Sequence, residues 1–544
     1  MIKRIINSKS ETITFSAGLI AFSIGVSAIL GLLRDRLLVS YFNVEELDIY
    51  FAAFAVPDFI YGIIITGGII AAFLPIFSST LEKEKEKGWE LANNTLNVLI
   101  LFLLFFCTLF FIFAPSILKL VAPGFSDIDL QKTVFLTRIM MMSPLILGIS
   151  SIFSGILQYF DRFLAYSLAP VLYNIGIIFG IIFLTPQYGL IGLAYGVIIG
   201  SLLHLFIQIP SAIFSGFSYI PLLNFKQKEL RKILYLIVPR IIGQASVKIN
   251  IIVITALASL LTAGSISIFN LANHLQSFPV RIIGVAFAVA AFPSFSRLVA
   301  AKEKKKFLSN FSLVIRQSLF LIIPISILVF LLRAHIVRLV LGTGEFGWAE
   351  TKLTAASLGI FSFSFFASCL VLILVRAFFS FQDTKTPLLA SLAAMVTNIF
   401  CCFLFIWVLG FDNFFRKTAV SLLKLDNIAN IEVIAFPMAI LIATVLQFII
   451  LLYLLNFRMG NFKGMGIKES LQKIILSSFV MGVVSFLVLR LIGNAIVLDT
   501  FIAVFAQTAI TFLVALSVYI FMIRLTKATE LDVIASAFKG QFKK

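Results

Sequence analysis

Of 544 residues, 60% are hydrophobic and only 12% are charged, too little polar surface for a soluble protein of this size to cover itself. The net charge of +18 does not point to nucleic acid, because Lys and Arg gather in alternate short segments between long apolar runs. Composition therefore excludes a soluble enzyme and a nucleic-acid-binding protein, and implies an all-α polytopic membrane protein.

A membrane span needs about 20 apolar residues at 1.5 Å rise each. That rule gives fourteen transmembrane helices, near 12–33, 49–79, 95–122, 135–158, 164–185, 189–212, 232–262, 266–299, 311–333, 352–376, 387–410, 432–456, 470–492 and 500–524. The opening MIKRIINSKS is basic like the start of a signal peptide. The run behind it is too long and lacks a small-residue cleavage pattern, so it is expected to stay as the first span. That span ends in Arg34-Asp35-Arg36, and a polar bend with Glu45, Glu46 and Asp48 leads into the second, which carries Pro57 and Asp58. Spans above thirty residues are expected to overrun the bilayer or to kink at Pro57, Pro75 or Pro279. The longest loops, 213–231, 411–431 and 457–469, leave no room for a soluble domain. The positive-inside rule and the even span number put both termini in the cytoplasm. Cys107, Cys369, Cys401 and Cys402 all fall within spans and imply no disulfide framework.

An internal repeat organises the chain. AAFLPIFSSTLEKEKEK at 71–87 is echoed by AAFPSFSRLVAAKEKKK at 290–306, SILKLVAPGF at 116–125 by HIVRLVLGTGEF at 335–346, and YFDRFLAYSLAP at 159–170 by SFQDTKTPLLAS at 380–391. The near-constant offset of about 220 residues predicts two pseudo-symmetric six-helix lobes related by an axis along the membrane normal, with a cavity between them. The expected boundaries are 1–222 for spans 1–6 and 223–460 for spans 7–12. Residues 461–544 then hold spans 13–14 and a basic cytoplasmic tail.

Charge within or beside a membrane helix marks a functional site by default, because it is costly unless it faces protein or water. The candidates are Arg34, Asp35, Asp48, Asp58, Arg240, Lys248, His274 and Arg281. Arg240, Gln244 and Lys248 form one i, i+4, i+8 stripe, and Arg281 lies two turns beyond His274. The alternatives are structural: Arg34 paired with Asp35 or Asp48, Arg240 snorkelling to the inner face, and Asp58 countering a cation. Asn174, just after Pro170, reads as an interhelical hydrogen-bonding residue. Enzyme readings are weak. Asp127-Ile128-Asp129 has the spacing of a metal–nucleotide motif but follows Ser126 as a helix start would. His204, His274 and His335 lack metal-ligand spacing, and loop 411–431 (Asp412, Arg416, Lys417) is a thin candidate for a glycosyltransferase cluster. No catalytic residue, metal or cofactor is assigned.

LGLLRD at 30–35 and LDIYFAAFAVP at 47–57 resemble the opening of the MurJ/MviN family, the flippases of the peptidoglycan precursor lipid II. APVLYNI (169–175), YGVIIGSLLHLFIQIP (195–210), INIIVITALASLL (249–261), ANHLQSFP (272–279) and RAFFSFQDTKTP (376–387) continue the resemblance in order. It implies the fourteen-span fold of the multidrug/oligosaccharidyl-lipid/polysaccharide exporter superfamily, with spans 13 and 14 lining a groove for a lipid tail. It also implies a monomeric, multi-pass flippase of the bacterial inner membrane. Its partners would be lipid II and membrane lipids, and transport would be driven by the membrane potential or a monovalent cation. Arg34 and Asp35 match the family's first-span pair. Ala28, Tyr61 and His274 stand where the family usually places arginines, so cationic function is expected to move to Lys248 and Arg281. The alternatives are an exporter of another polyprenyl-pyrophosphate-linked oligosaccharide and a drug/cation antiporter of the same superfamily.

Overall fold

The computed structural model describes residues 13–63, 69–428, 430–460, 466–495, 500–528 and 530–531, without the side chains of 13–21, 70–71, 238–240, 242 and 495. Among the described residues every regular element is helical. Ten helices among the described residues are long and apolar enough to cross a membrane. An eleventh arises if Trp348–Ser362 and Phe365–Ser380, bent by 49°, form one span. The chain is thus an all-α polytopic membrane protein, divided into two compact units: Met1–Ser267 with Thr343–Phe346, and Ile268–Gly342 with Gly347–Lys544.

The first unit holds α1 (Ile13–Tyr41), α2 (Val44–Ile60), α3 (Ile70–Lys83), α4 (Lys85–Ile112), α5 (Ala114–Val121), α6 (Asp127–Met140), α7 (Met142–Tyr159), α8 (Phe163–Phe179), α9 (Thr185–Tyr188), α10 (Leu190–Phe206), α11 (Ile209–Phe214) and α12 (Lys228–Ser259). The helix α1 runs eight residues past the expected end of the first span and carries the Arg34–Asp35 pair within it. Asn43 and Glu46 start α2 as a capping box, each side chain bonding the other's N–H. Ser126 caps α6 through Asp129 N–H at 3.2 Å, as the helix-start reading expected.

Packing of α8 on α10 depends on glycine. A Cβ on Gly176 would lie 2.3 Å from Gly200 Cα, and one on Gly180 would lie 2.4 Å from Gly196 Cα. In lipid, where apolar burial drives little association, such close backbone approach supplies the van der Waals contact that holds helices together.

The second unit holds most of α13 (Ser265–Val280), then α14 (Ala286–Ala300), α15 (Lys304–Leu341), α16 (Trp348–Ser362), α17 (Phe365–Ser380), α18 (Lys385–Leu409), α19 (Phe414–Leu423), α20 (Ala435–Met459), α21 (Ile467–Ala495) and α22 (Phe501–Leu525). The last two helices pack on each other and chiefly on α15. Polar contacts tie them to it at three levels. Glu530 accepts from Arg316 (3.2 Å) and Ser470 (2.9 Å), and Tyr519 donates to the Phe320 carbonyl (2.7 Å). Gln507 bonds His335 (2.8 Å) and the Leu489 carbonyl (2.9 Å).

Within each unit the sequence repeat reappears as local structure. Pro57 and Pro279 each interrupt a helix and are followed by a π-helical turn, at 61–63 and at Arg281–Val285. Asp161 (φ 56°) and Gln382 (φ 59°) are left-handed, and the next N–H in each case reaches back five residues, Arg162 to Leu157 and Asp383 to Phe378. Around these turns, Trp89 meets Phe77 and Phe160 at 5.7 and 5.8 Å between ring centroids. Phe307 meets Phe295 and Phe381 at 5.3 and 5.2 Å.

Candidate substrate site

Two of the ion pairs of the first unit are drawn in from the surface, while those at Lys87–Glu84 and Lys132–Asp129 are exposed. On α1, Arg34 gives Nε and Nη2 to Asp35 Oδ1 at 3.1 and 2.8 Å, and its Nη1 reaches Asn174 Oδ1 on α8 at 3.5 Å. Asn174 in turn donates to Ser27 Oγ (3.1 Å) and to the Pro170 carbonyl (3.2 Å), so it makes the interhelical link its position suggested. The second pair joins α12 to α2, where Lys248 Nζ donates to Asp58 Oδ2. The methylenes of Lys248 cross the π-helical turn at Gly62, where an ideal Cβ would fall 2.1 Å from Lys248 Cε. Pro57 therefore matters twice: it breaks the α2 ladder, and the turn after it opens the path for a lysine.

Tyr173 connects the pairs, lying within electrostatic reach of both Arg34 and Asp58, with Tyr50 and Tyr61 beside it. Arg34, Lys248, Asp58, Tyr61 and Tyr173 are all partly exposed, whereas Asp35 is buried. The result is a mixed wall of two cations, two carboxylates and phenol groups. Its fixed charges cancel, and each cation is already partnered by a carboxylate.

The other expected residues lie elsewhere. Asp48 is buried and accepts from Gly264 N–H (2.7 Å), Ser267 N–H (2.7 Å) and Ser267 Oγ (2.6 Å), so it caps α13. Gly264 has φ +89°, which a side chain would strain. His274, on α13, is half-buried, and Arg281, the first residue of the π-helical turn after it, is exposed; both belong to the second unit. The side chain of Arg240 lies outside the described residues. In 411–431, Arg416 pairs with Glu432 (2.9 Å) and Lys417 with Asp412 (3.2 Å). No group of three or more His, Cys, Asp or Glu side chains could hold a metal among the described residues.

Sequence reasoning passed over two polar clusters. Ser150 and Ser154 on α7, His204 on α10 and Gln208 at the start of α11 form a network, with Ser150 Oγ 2.8 Å from His204 Nδ1 and Gln208 Nε2 2.7 Å from Ser150 Oγ. The i, i+4 spacing within each pair was the available signal. Asn93, Asn94 and Asn97 on α4 hold the main chain of 218–224.

The family model described as "Lipid II flippase MurJ" matches residues 40–507. The chain belongs to that family. A "Probable lipid II flippase MurJ" of Buchnera aphidicola subsp. Schizaphis graminum is 29% identical over 459 residues, 80% of this chain and 89% of the relative. The structure of "Lipid II flippase MurJ, inward closed conformation" superposes with a TM-score of 0.74 at 24% identity, covering 93% of this chain and 99% of that one. An inward-facing multidrug-resistance MATE family transporter of the MOP superfamily gives 0.65 at 13% identity, over 80% of this chain and 95% of that one. These two likenesses speak to the fold. The sequence resemblance to MurJ/MviN is thereby confirmed.

Proposed function

We propose that this member of the MurJ family flips lipid II from the inner to the outer leaflet of the bacterial inner membrane by alternating access. It is a transporter, not an enzyme. The observation that carries the reading is the family match over residues 40–507, with the Arg34–Asp35 and Lys248–Asp58 pairs as its chemical counterpart. A pyrophosphate crossing an apolar layer needs cations, and arginine suits it through bidentate geometry. Arg34 and Lys248 supply them from the first unit, and His274 and Arg281 are the candidates of the second. Since Asp35 and Asp58 already neutralise the first two, the cargo binds by competing with a carboxylate, and it is released when that carboxylate returns. Tyr61 and Tyr173 offer neutral donors to its oxygens.

The finer features of this reading are fourteen spans with both termini in the cytoplasm, lobes at 1–222 and 223–460, and a lipid-tail groove on the last two helices. It also takes the protein as a monomer, driven by the membrane potential or a monovalent cation. Ala28 and Tyr61, which stand in place of arginines, favour one second reading, in which the cargo is another polyprenyl-pyrophosphate-linked oligosaccharide. Complementation of a strain depleted of its lipid II flippase tests the choice: growth with lipid II accessible at the outer face supports the first reading, and lysis with a correctly inserted protein refutes it.

A further inference from the structure

The segment between α11 and α12 crosses the end of α4 without helix or strand from 217 to 224. Asparagine is a poor interior residue for a helix, because its side chain competes for backbone groups. Here that competition is directed outward, at the strap. Asn93 donates to the Ser218 carbonyl (2.9 Å) and accepts from Ile220 N–H (2.9 Å). Asn94 donates to the Asn224 carbonyl and accepts from its N–H, both at 2.8 Å. Asn97 donates to the carbonyls of Ile220 (3.1 Å) and Leu222 (2.9 Å). Pro221 brings no N–H to satisfy.

While the peptide groups of Ser218, Ile220, Leu222 and Asn224 are held inward, the strap turns its apolar side chains out. Tyr219, Ile220, Leu223 and Phe225 are 47–59% exposed, and Ile213 and Phe214 on α11 reach 60% and 68%. Lys226, Lys228 and Lys232 stand exposed beside them. A loop in water needs neither feature, since water satisfies its peptide groups and polar side chains suit its surface. A main chain pinned from within at alternate residues, with apolar side chains outside, suits a non-aqueous neighbour. Depth agrees. The outward apolar face of α4 starts at Leu101 and Phe102, about 6 Å of helix rise beyond Asn97. Segments lying in the membrane interface bury about 5–10 Å into the headgroup and acyl boundary.

We propose that residues 213–232 form a membrane-binding strap that seats Phe214, Tyr219, Leu223 and Phe225 in the bilayer interface and binds anionic phospholipid headgroups through Lys226, Lys228 and Lys232. The asparagines fix its register, so the lipid contact belongs to a rigid part of the first unit. Near an anionic surface each lysine contributes about fivefold in partitioning.

The test uses the full chain, reconstituted in phosphatidylcholine vesicles with and without phosphatidylglycerol. Spin labels are placed singly at Tyr219→Cys, Leu223→Cys and Phe225→Cys, with Glu86→Cys as an aqueous control; the native cysteines are buried. Collisions with oxygen and with a water-soluble nickel complex report depth. The expected result is a several-fold higher oxygen-to-nickel ratio at the three strap positions than at Glu86→Cys. It should deepen further with phosphatidylglycerol and lose that increment in the Lys226→Gln, Lys228→Gln, Lys232→Gln variant. Asn93→Ala with Asn94→Ala should mobilise the strap labels in folded protein. Ratios equal to the control would overturn the proposal and point to a water-exposed face for a soluble protein. A phosphatidylglycerol increment that survives the triple substitution would overturn the headgroup assignment.

Discussion

Neutralising Asp58 should make the transporter hold its anionic cargo more tightly and pass it on more slowly. Lys248 donates to Asp58 across Gly62, and the two side chains are 19% and 32% exposed. Unit charges about 4 Å apart attract by about 4 kcal/mol at an effective dielectric constant of 20. Partial solvation of both groups reduces the competition Asp58 offers an incoming phosphate to roughly 1–2 kcal/mol. That corresponds to about a 5–30-fold gain in affinity for Asp58→Asn. Binding of lipid II to purified protein in nanodiscs gives the affinity, and accessibility of lipid II at the outer face of cells gives the transport. Asp58→Asn should bind more tightly and export less, Lys248→Met should bind more weakly, and the double variant should fall near Lys248→Met. An Asp58→Asn protein that is folded yet binds no better than wild type would refute the competition scheme.

Three further outcomes are expected. Arg281→Ala should impair export severely and Lys248→Ala less so, with Ala28→Arg restoring part of either; normal export by the Arg281→Ala, Lys248→Ala double variant at equal expression would place the cationic site elsewhere. Gly200→Leu should lower the melting temperature of the purified protein by several degrees, because an ideal Cβ there already lies 2.4 Å from the Tyr173 carbonyl, and overpacking costs about 1–3 kcal/mol. Gly31→Ala, with nothing within 4 Å of its Cβ, is the neutral control. For Asp383, between α17 and α18, burial pushes the carboxyl up, but the Thr386 N–H and hydroxyl together with Arg458 outweigh it and hold it below its ordinary value. A lowered folded value stabilises above the unfolded value of about 3.9 and is lost as pH falls through the folded one. The melting-temperature gap between wild type and Asp383→Asn should therefore be full at neutral pH and close on acidification below about pH 4; a gap independent of pH would contradict this.

Much of the architecture was legible because it is written in local chemistry. Pro57 and Pro279, or the turns at 159–162 and 380–383, act on their own few residues, so similar strings fold into similar turns wherever they recur. The site was less so. That Lys248 would meet Asp58 depends on a helix break at Pro57 and on a missing side chain at Gly62, and neither announces a partner 190 residues away. Asp48 shows the same limit. Its charge beside a span suggested cargo, but it finds backbone N–H groups at Gly264 and Ser267. The asparagines of α4 were passed over for a simpler reason: amide side chains carry no charge to draw attention in an apolar run.

The three attachments of the last helices to α15 fall at residues 316, 320 and 335. At 1.5 Å per residue they spread over about 28 Å, close to the full hydrocarbon thickness. A pair riveted near both ends cannot pivot on its support; it travels with it. Any tilt of α15 during a transport cycle would thus sweep α21 and α22 through the lipid as a single vane. The work of moving them would be done against the bilayer rather than against protein, so their speed would be set in part by membrane viscosity.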